Sequence, residues 1–240
     1  MNLDQKNIVI TSAVRTAIGS FNGSLKNMKG HDLGSIVIKE AINRSNLNSN
    51  DVDEIVMGQV LTGATGQNPA RQAAIQAGLP KEKTAYVVNQ VCGSGLRSVA
   101  AGYQAIFSKD LNIVVAGGQE SMTNAPHAIN IRNGQKLNNE NLIDTMIKDG
   151  LWDAFNGYHM GVTAENVASK WQITRKDQDY FALSSQQKAA KAIKEKKFRN
   201  EIVPITIKSQ DGVFKFEEDE HLRKGITIDK LKKLKPSFKN

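Results

Sequence analysis

Alternating apolar and polar stretches predict repeated strand–helix units over the first half of the chain. Residues 84–90 are rich in β-branched and aromatic side chains, as in a buried strand, and apolar residues then recur at helical spacing as far as Phe107. The remaining predicted strands are residues 8–14, 54–61 and 112–116, and the remaining helices are 31–44 and 69–78. Four such alternations predict an α/β fold with a mostly parallel sheet and helices on both faces.

The pattern changes after Ser121. A polar stretch contains an expected turn at Asn133-Gly134, and Thr174 with Asp177 resembles a capping box at the start of a long helix to about Lys197. The apolar stripe of that helix comprises Phe181, Ala182, Ala189, Ala192 and Ile193. Shorter helices are predicted at 141–148, 161–171 and 227–234, with short strands at 202–207 and 213–216. The pattern therefore predicts that this half forms a separate, mainly α subdomain.

Cys92 is the only cysteine, and it lies between the predicted strand at 84–90 and the helix that follows. Its neighbours Gly93 and Gly95 allow a sharp turn and the close approach of a ligand. A thiol there faces a helix N-terminus, whose unpaired N–H groups favour a thiolate. From these residues alone, two interpretations remain open: an activated nucleophile and a small buried cysteine.

Composition narrows the class of protein. The chain has 240 residues, of which 40% are hydrophobic and 23% charged, typical of a globular protein with a sizeable core. A single cysteine excludes an internal disulfide framework and a multi-cysteine metal site. We find neither a signal-peptide core nor an apolar run long enough to cross a bilayer, so a cytoplasmic location is expected.

The net charge of +8 is concentrated in the last fifty residues. Three interpretations remain open: a solvated surface, a nucleic-acid site, and a basic lip for a small molecule that carries phosphate. Interleaved aromatics, zinc-ligand spacing and known nucleic-acid motifs are not found, so no nucleic-acid partner is expected.

Several motifs, in order along the chain, together resemble the thiolase family, and most closely its short-chain acetyl-CoA C-acetyltransferases. The matching stretches are residues 14–19, 66–72, 89–95, 117–122, 159–166 and 201–204. The resemblance extends over essentially the whole chain and favours the nucleophile interpretation of Cys92. It implies a thiolase-like layered fold, incomplete here, with an N-terminal core domain at 1–120 and a loop subdomain at 121–240 that shapes the coenzyme A pocket.

The resemblance also implies the chemistry. Cys92 would take an acetyl group from a thioester, and two acetyl-CoA molecules would give acetoacetyl-CoA and free CoA, or the reverse. It implies no metal and no cofactor beyond the coenzyme A thioester substrates. The full-length family implies a homo-oligomer, dimer or tetramer, with no membrane partner.

By motif position, Leu151, His159 and Met160 would contact the pantetheine and acyl end of the substrate, and Arg223 would lie beside its adenine nucleotide. Plainer roles are also open: His159 could hold a helix start, Met160 could pack in a core, and Arg223 could be an exposed charge.

The chain also departs from the family pattern. Asn240 falls within the family's loop domain, so the resemblance implies that the second core domain is absent. In the family that domain carries the catalytic histidine, the oxyanion-site asparagine and a second cysteine, so these would be absent too. We therefore expect no turnover from this chain alone. The main alternative is a non-catalytic fragment that binds CoA or associates with subunits. A condensing enzyme of fatty-acid or polyketide synthesis and a serine hydrolase fit less well, and around Ser94 the G-x-S-x-G elbow is absent.

Overall fold

The computed structural model describes residues 8–132, 142–209 and 212–239. The strands of the described residues are β1 (Arg15–Thr16), β2 (Glu54–Gly58), β3 (Thr84–Val88), β4 (Val114–Gly118), β5 (His127–Ala128), β6 (Ile143–Asp144), β7 (Trp152–Asp153), β8 (Tyr158–His159), β9 (Ile202–Val203), β10 (Ile205–Ser209) and β11 (Gly212–Phe216). Their helices are α1 (Gly30–Arg44), α2 (Pro69–Gln76), α3 (Ser94–Phe107), α4 (Thr145–Gly150), α5 (Met160–Lys170), α6 (Arg175–Lys194) and α7 (Ile228–Lys232), with a 3₁₀ turn at Ser49–Asp51.

A three-stranded parallel sheet in the order β3-β2-β4 forms the centre of the first half. Side chains alternate across β2, so Ile55 and Met57 face α1 and α2 while Gly58 meets α3 on the opposite face. The predicted α/β architecture, with a parallel sheet and helices on both faces, is confirmed.

Helix α2 shows how local sequence creates part of this core. The Asn68 side chain accepts a hydrogen bond from the Arg71 N–H, and Pro69 occupies the first helical turn. Ala70, Ala73 and Ala74 are fully buried, because small side chains let the helix approach α1 and the sheet closely. The helix start predicted from Asn68-Pro69 is therefore confirmed.

A second, smaller core joins the two ends of the chain. Strand β1 pairs in parallel with β9, and Ala17 and Leu25 pack with Ile202, Ile205 and Phe216. Arg15 reinforces this contact: its guanidinium donates hydrogen bonds to both carboxylate oxygens of Asp219, at 2.8 and 3.0 Å.

The strand predicted at residues 8–14 is wrong. Only the next two residues, Arg15 and Thr16, pair with another strand, and Ile10 is 80% exposed. A strand requires a neighbouring edge to take up its N–H and C=O groups, and within the described ranges none lies beside residues 8–14.

Other boundaries differ by a few residues. Strand β2 ends at Gly58 rather than at 61, β4 extends through Gly117-Gly118, and α6 ends at Lys194. The helix expected from residue 141 begins only at Thr145, because Asp144 accepts hydrogen bonds from the Met146 and Ile147 N–H groups and caps it. The expected Asn133-Gly134 turn lies outside the described residues.

The long helix α6 begins with the predicted capping box. The Thr174 hydroxyl accepts from the Asp177 N–H, and the Asp177 carboxylate accepts from the Thr174 N–H. Phe181, expected in the apolar stripe, is instead 78% exposed, whereas Ala182, Ala189, Ala192 and Ile193 are half-buried. Within the described residues, no helix is long and apolar enough to cross a membrane.

Candidate active site

Cys92 lies on the turn between β3 and α3, as the sequence predicted. Strand β3 ends at Val88 and helix α3 begins at Ser94, so the thiol is carried by the connection at the carboxyl end of a parallel strand. Such edges collect ligand sites in open α/β sheets. The side chain is exposed, which overturns the alternative of a small buried cysteine.

The backbone of this turn has an unusual conformation. Val91, immediately before Cys92, has a φ of +49°, a region that β-branched residues rarely adopt. The Asn89 side-chain oxygen accepts from the Val91 N–H at 2.9 Å, and the Gly93 N–H donates to the Gln90 carbonyl at 3.0 Å. The turn is therefore held by hydrogen bonds on both sides of the strained residue.

Glycines let the first turn of α3 pack directly on the sheet. A Cβ added at Gly58 would lie 2.5 Å from the Ser94 carbonyl carbon and 2.6 Å from the Gly95 nitrogen, so only glycine fits there, whereas a Cβ at Gly118 would lie 3.7 Å from the Gly95 Cα. The N-terminus of α3 thus sits at the carboxyl ends of β2 and β4. Its partial positive charge lies beside Cys92, where it attracts a thiolate or a developing oxyanion.

A buried polar layer supports the same sheet edge. The Gln119 amide donates to the Gln59 side-chain oxygen at 2.8 Å, and the Glu120 carboxylate accepts from the Val60 N–H at 2.8 Å. Burial raises the pKa of Glu120, and this effect outweighs backbone hydrogen bonds that lower it. The sequence analysis assigned no role to Gln119 and Glu120. The feature that could have indicated one is that Gly-Gly-Gln-Glu directly follows a predicted strand.

The structure brings Leu151, His159 and Met160 together. Trp152, next to Leu151, pairs with His159 across the β7–β8 ladder, and the Met160 N–H donates to the Leu151 carbonyl at 2.8 Å. The His159 Nδ1 atom accepts from the Gly161 N–H at 2.9 Å and caps α5. The capping role considered for His159 is therefore observed, and its ring is half-buried beside Met160, whose side chain is exposed.

Phe238 joins this group and was not predicted. Its ring stacks on His159, with the centroids 4.9 Å apart and the planes at 24°. Gly161 lies so close beneath the same ring that any side chain there would collide with it. No periodicity marks Phe238, because it lies in irregular chain after α7 and only the tertiary structure returns it to α5.

Arg223 contacts the long helix α6. Its backbone N–H donates to the Gln186 side-chain oxygen on α6 at 2.8 Å, and its side chain is exposed. In the described part of the chain, no hydrogen bond or ion pair engages the guanidinium. The group is therefore free to pair with an anion from solution.

No group of three or more His, Cys, Asp or Glu side chains able to hold a metal is found among the described residues. The site comprises an exposed thiol on a strained glycine-flanked turn, two residues before the start of α3, and an aromatic and apolar group around His159.

Comparison with known proteins identifies the class. The family described as "Thiolase, N-terminal domain" matches residues 8–240, and the chain belongs to the thiolase family.

The relatives refine this assignment. The chain is 54% identical over 236 residues to an acetyl-CoA acetyltransferase of Rhizobium meliloti (strain 1021), covering 98% of this chain and 60% of the relative. An acetyl-CoA acetyltransferase of Paracoccus denitrificans is 56% identical over 230 residues, covering 96% and 59%. The crystal structure of the Bacillus anthracis acetyl-CoA acetyltransferase superimposes with a TM-score of 0.92 at 40% identity, covering 96% and 59%. The chain therefore spans about 60% of the length of these relatives.

Proposed function

We propose that this chain carries the acyl-accepting part of an acetyl-CoA C-acetyltransferase, with Cys92 as the nucleophile. One observation carries the proposal: the sole cysteine is exposed on a glycine-flanked turn at the N-terminus of α3. The relatives named acetyl-CoA acetyltransferase supply the substrate class, and their names agree with what a thiol in this position can do.

In the proposed step, the Cys92 thiolate attacks the carbonyl carbon of acetyl-CoA. A bond forms between Sγ and that carbon while the carbon–sulfur bond to CoA breaks, and CoA leaves with the proton that the Cys92 thiol has given up. The product is an acetyl thioester on Cys92, as reactive as the starting thioester and ready to be passed to a second acetyl-CoA. Amides at the start of α3 stabilise the negative charge on the carbonyl oxygen.

The coenzyme A contacts belong to the second half in this proposal. Leu151, His159 and Met160 would contact the pantetheine and acyl end, and the stacking of Phe238 on His159 adds an aromatic surface there. Arg223 would pair with phosphate at the nucleotide end, which its exposed guanidinium supports. In this proposal the chain has two parts. Residues 1–120 form the core domain that contains the nucleophile, and residues 121–240 form the loop subdomain that binds CoA.

Other parts of the proposal rest on membership of the thiolase family. We expect the protein to be a cytoplasmic homo-oligomer that uses coenzyme A thioesters and no further cofactor. Net condensation or thiolysis also needs general acid–base groups, which typically contribute 10²–10⁴-fold. Because the resemblance assigns the catalytic histidine and the second cysteine of the family to the second core domain, we expect residues 1–240 alone to form the acyl-enzyme without turnover.

A second candidate is a non-catalytic protein that binds CoA or associates with thiolase subunits. The outer face of α3 favours it: Leu96 is 78% exposed, Tyr103 53% and Phe107 55%, a stripe of apolar surface larger than isolated exposed residues give.

Incubation of the chain with acetyl-CoA, followed by peptide mass spectrometry, distinguishes the two candidates. We expect one acetyl group on the peptide that contains Cys92, released by hydroxylamine as a thioester is and absent from Cys92→Ser. Acetylation found only on lysines, or none, would contradict the acyl-acceptor proposal and leave CoA binding or subunit association.

A further inference from the structure

We propose that Ser94 is the positioning residue for Cys92: its hydroxyl closes the turn that presents the thiol. The Ser94 side chain is only 4% exposed. Its Oγ accepts a hydrogen bond from the Gln90 N–H at 2.8 Å and donates one to the Val91 carbonyl at 2.6 Å. One buried hydroxyl therefore joins the start of α3 to both residues that precede Cys92.

The turn needs such a restraint because it is strained. Val91 holds a φ of +49°, which a β-branched residue abandons unless its surroundings prevent it. The restraints come from two sides, since the Asn89 side chain accepts from the Val91 N–H and the Ser94 hydroxyl donates to the Val91 carbonyl. Cys92 is itself exposed, so its position depends on this backbone rather than on side-chain packing.

Ser94 is in turn fixed by the sheet. A Cβ on Gly58 would lie 2.8 Å from the Ser94 Cβ, so the end of β2 and the first residue of α3 are in direct contact. Support therefore runs from β2 through Ser94 to Val91 and then to Cys92. The inference rests on the proposed function only in taking Cys92 as the acyl acceptor.

Ser98, one turn further along α3, provides a matched control. It is fully buried, and its hydroxyl lies 2.6 Å from the Gly95 carbonyl oxygen and 2.7 Å from that of Gly117. It ties the same helix to β4 without touching the turn. Replacing either serine by alanine removes a comparable set of buried hydrogen bonds, but only the Ser94 set bears on Cys92.

The test is the rate of iodoacetamide alkylation in the wild type, Ser94→Ala and Ser98→Ala. The chain has one cysteine, so the whole signal comes from Cys92. Each native rate is divided by the rate of the same variant in denaturing urea, and urea unfolding curves give the stability of each. Because the thiol is already exposed, loosening the turn adds no access and only removes the thiol from its place at the N-terminus of α3.

We expect Ser94→Ala to slow native alkylation by roughly two- to fivefold, the factor that placement at a helix N-terminus is worth to a negative charge. Ser98→Ala should leave the rate unchanged at a similar loss of stability. Equal slowing in both variants would mean that Ser94 has only a structural role and would overturn the proposal. An unchanged rate in both variants would also overturn it.

If Ser94→Ala does not fold, Asn89→Ala tests the same turn through the other hydrogen bond to Val91. Asn89 is exposed, so this variant should fold, and it should slow alkylation in the same direction; an unchanged rate would overturn the proposal. Failure of the proposed function has a different signature: wild-type Cys92 would take no acetyl group from acetyl-CoA, while the alkylation difference between the serine variants would remain.

Discussion

The sheet of the first half and the helices α5 and α6 of the second half are stabilised by different forces. In the first half, α1 and α2 enclose one face of the sheet, with Ile38, Ile55 and Met57 almost completely buried. In the second half, helix α5 contains no buried residue, and in the twenty-residue helix α6 only Asp179 is buried. A continuous apolar core thus holds the sheet, whereas α5, which His159 caps, and α6, which Arg223 contacts, bury very few side chains.

Polar contacts hold α6 and connect the second half to the start of the chain. Arg175 donates to Asp179 on its own helix and to the carbonyls of Leu231 and Leu234, which ties α6 to the end of α7. Asp219 pairs with Arg15 and so connects the same half to the start of the chain. Each hydrogen bond of this kind contributes only modestly to the free energy of unfolding, whereas the contribution of apolar burial grows with the area buried. The proposed nucleophile therefore lies beside the firmly packed sheet, and the proposed CoA contacts at His159 and Arg223 lie beside the loosely packed helices α5 and α6.

The largest expected difference between the halves comes from removing apolar side chains. Ile55→Ala on β2 should lower the free energy of unfolding by about 2–5 kcal/mol, because it leaves a cavity between the sheet and its helices. Val167→Ala on the exposed face of α5 should change it by less than about 0.5 kcal/mol. Urea unfolding of both variants measures this, and equal losses would show that α5 packs on an apolar core after all.

The next effect concerns the polar link between the halves. Hydrogen bonds from Arg15 hold the pKa of Asp219 below its usual 3.8, assisted by the Ile18 N–H. The ionised form is thus favoured on folding, so its contribution is fully present above pH 3.8 and is lost as the pH falls through the lowered pKa. Asp219→Asn should cost about 1.5–3 kcal/mol at neutral pH, and this difference should shrink below that pH.

Glu218→Gln is the control for this link, since Glu218 is exposed next to Asp219. It should leave both the stability and its acid dependence unchanged. Unfolding curves at several pH values compare the two variants, and a constant difference between Asp219→Asn and wild type at all of them would refute the linkage.

The smallest expected effect is at the start of α6. Thr174→Ala removes the capping box with Asp177 and should cost about 1 kcal/mol, because α6 has little burial to compensate for a lost cap. Gln187→Ala, at an exposed position of the same helix, should be close to neutral. Loss of helical circular dichroism on heating provides the measurement. A Thr174→Ala variant as stable as Gln187→Ala would mean that contacts with α7 alone hold the helix.

Sequence reasoning succeeded where the signal was local. Asn68-Pro69 and Thr174 with Asp177 predicted helix starts that the structure confirms, since a cap involves only residues three or four positions apart. The position of Cys92 on a strand-to-helix turn followed in the same way from flanking patterns and two glycines.

It failed where a distant partner was required. Residues 8–14 have the composition of a strand, yet pairing begins only at Arg15, whose partner is Ile202. Phe238 had no periodicity that marked it, because its contact with His159 depends on how the chain folds back.

The amino-acid sequence by itself determined the helix and strand types, the caps, the thiolase-family motifs and the turn on which Cys92 lies. Each depends on interactions within a few residues, which the local chemistry of the chain specifies. Tertiary structure alone decided which helix faces are buried: apolar spacing indicated a helix after Cys92, but α3 packs Ser98 and Gly102 on the sheet and turns Leu96 and Phe107 outward. The face of a helix that is buried depends on which neighbours approach it, and those neighbours come from distant parts of the chain.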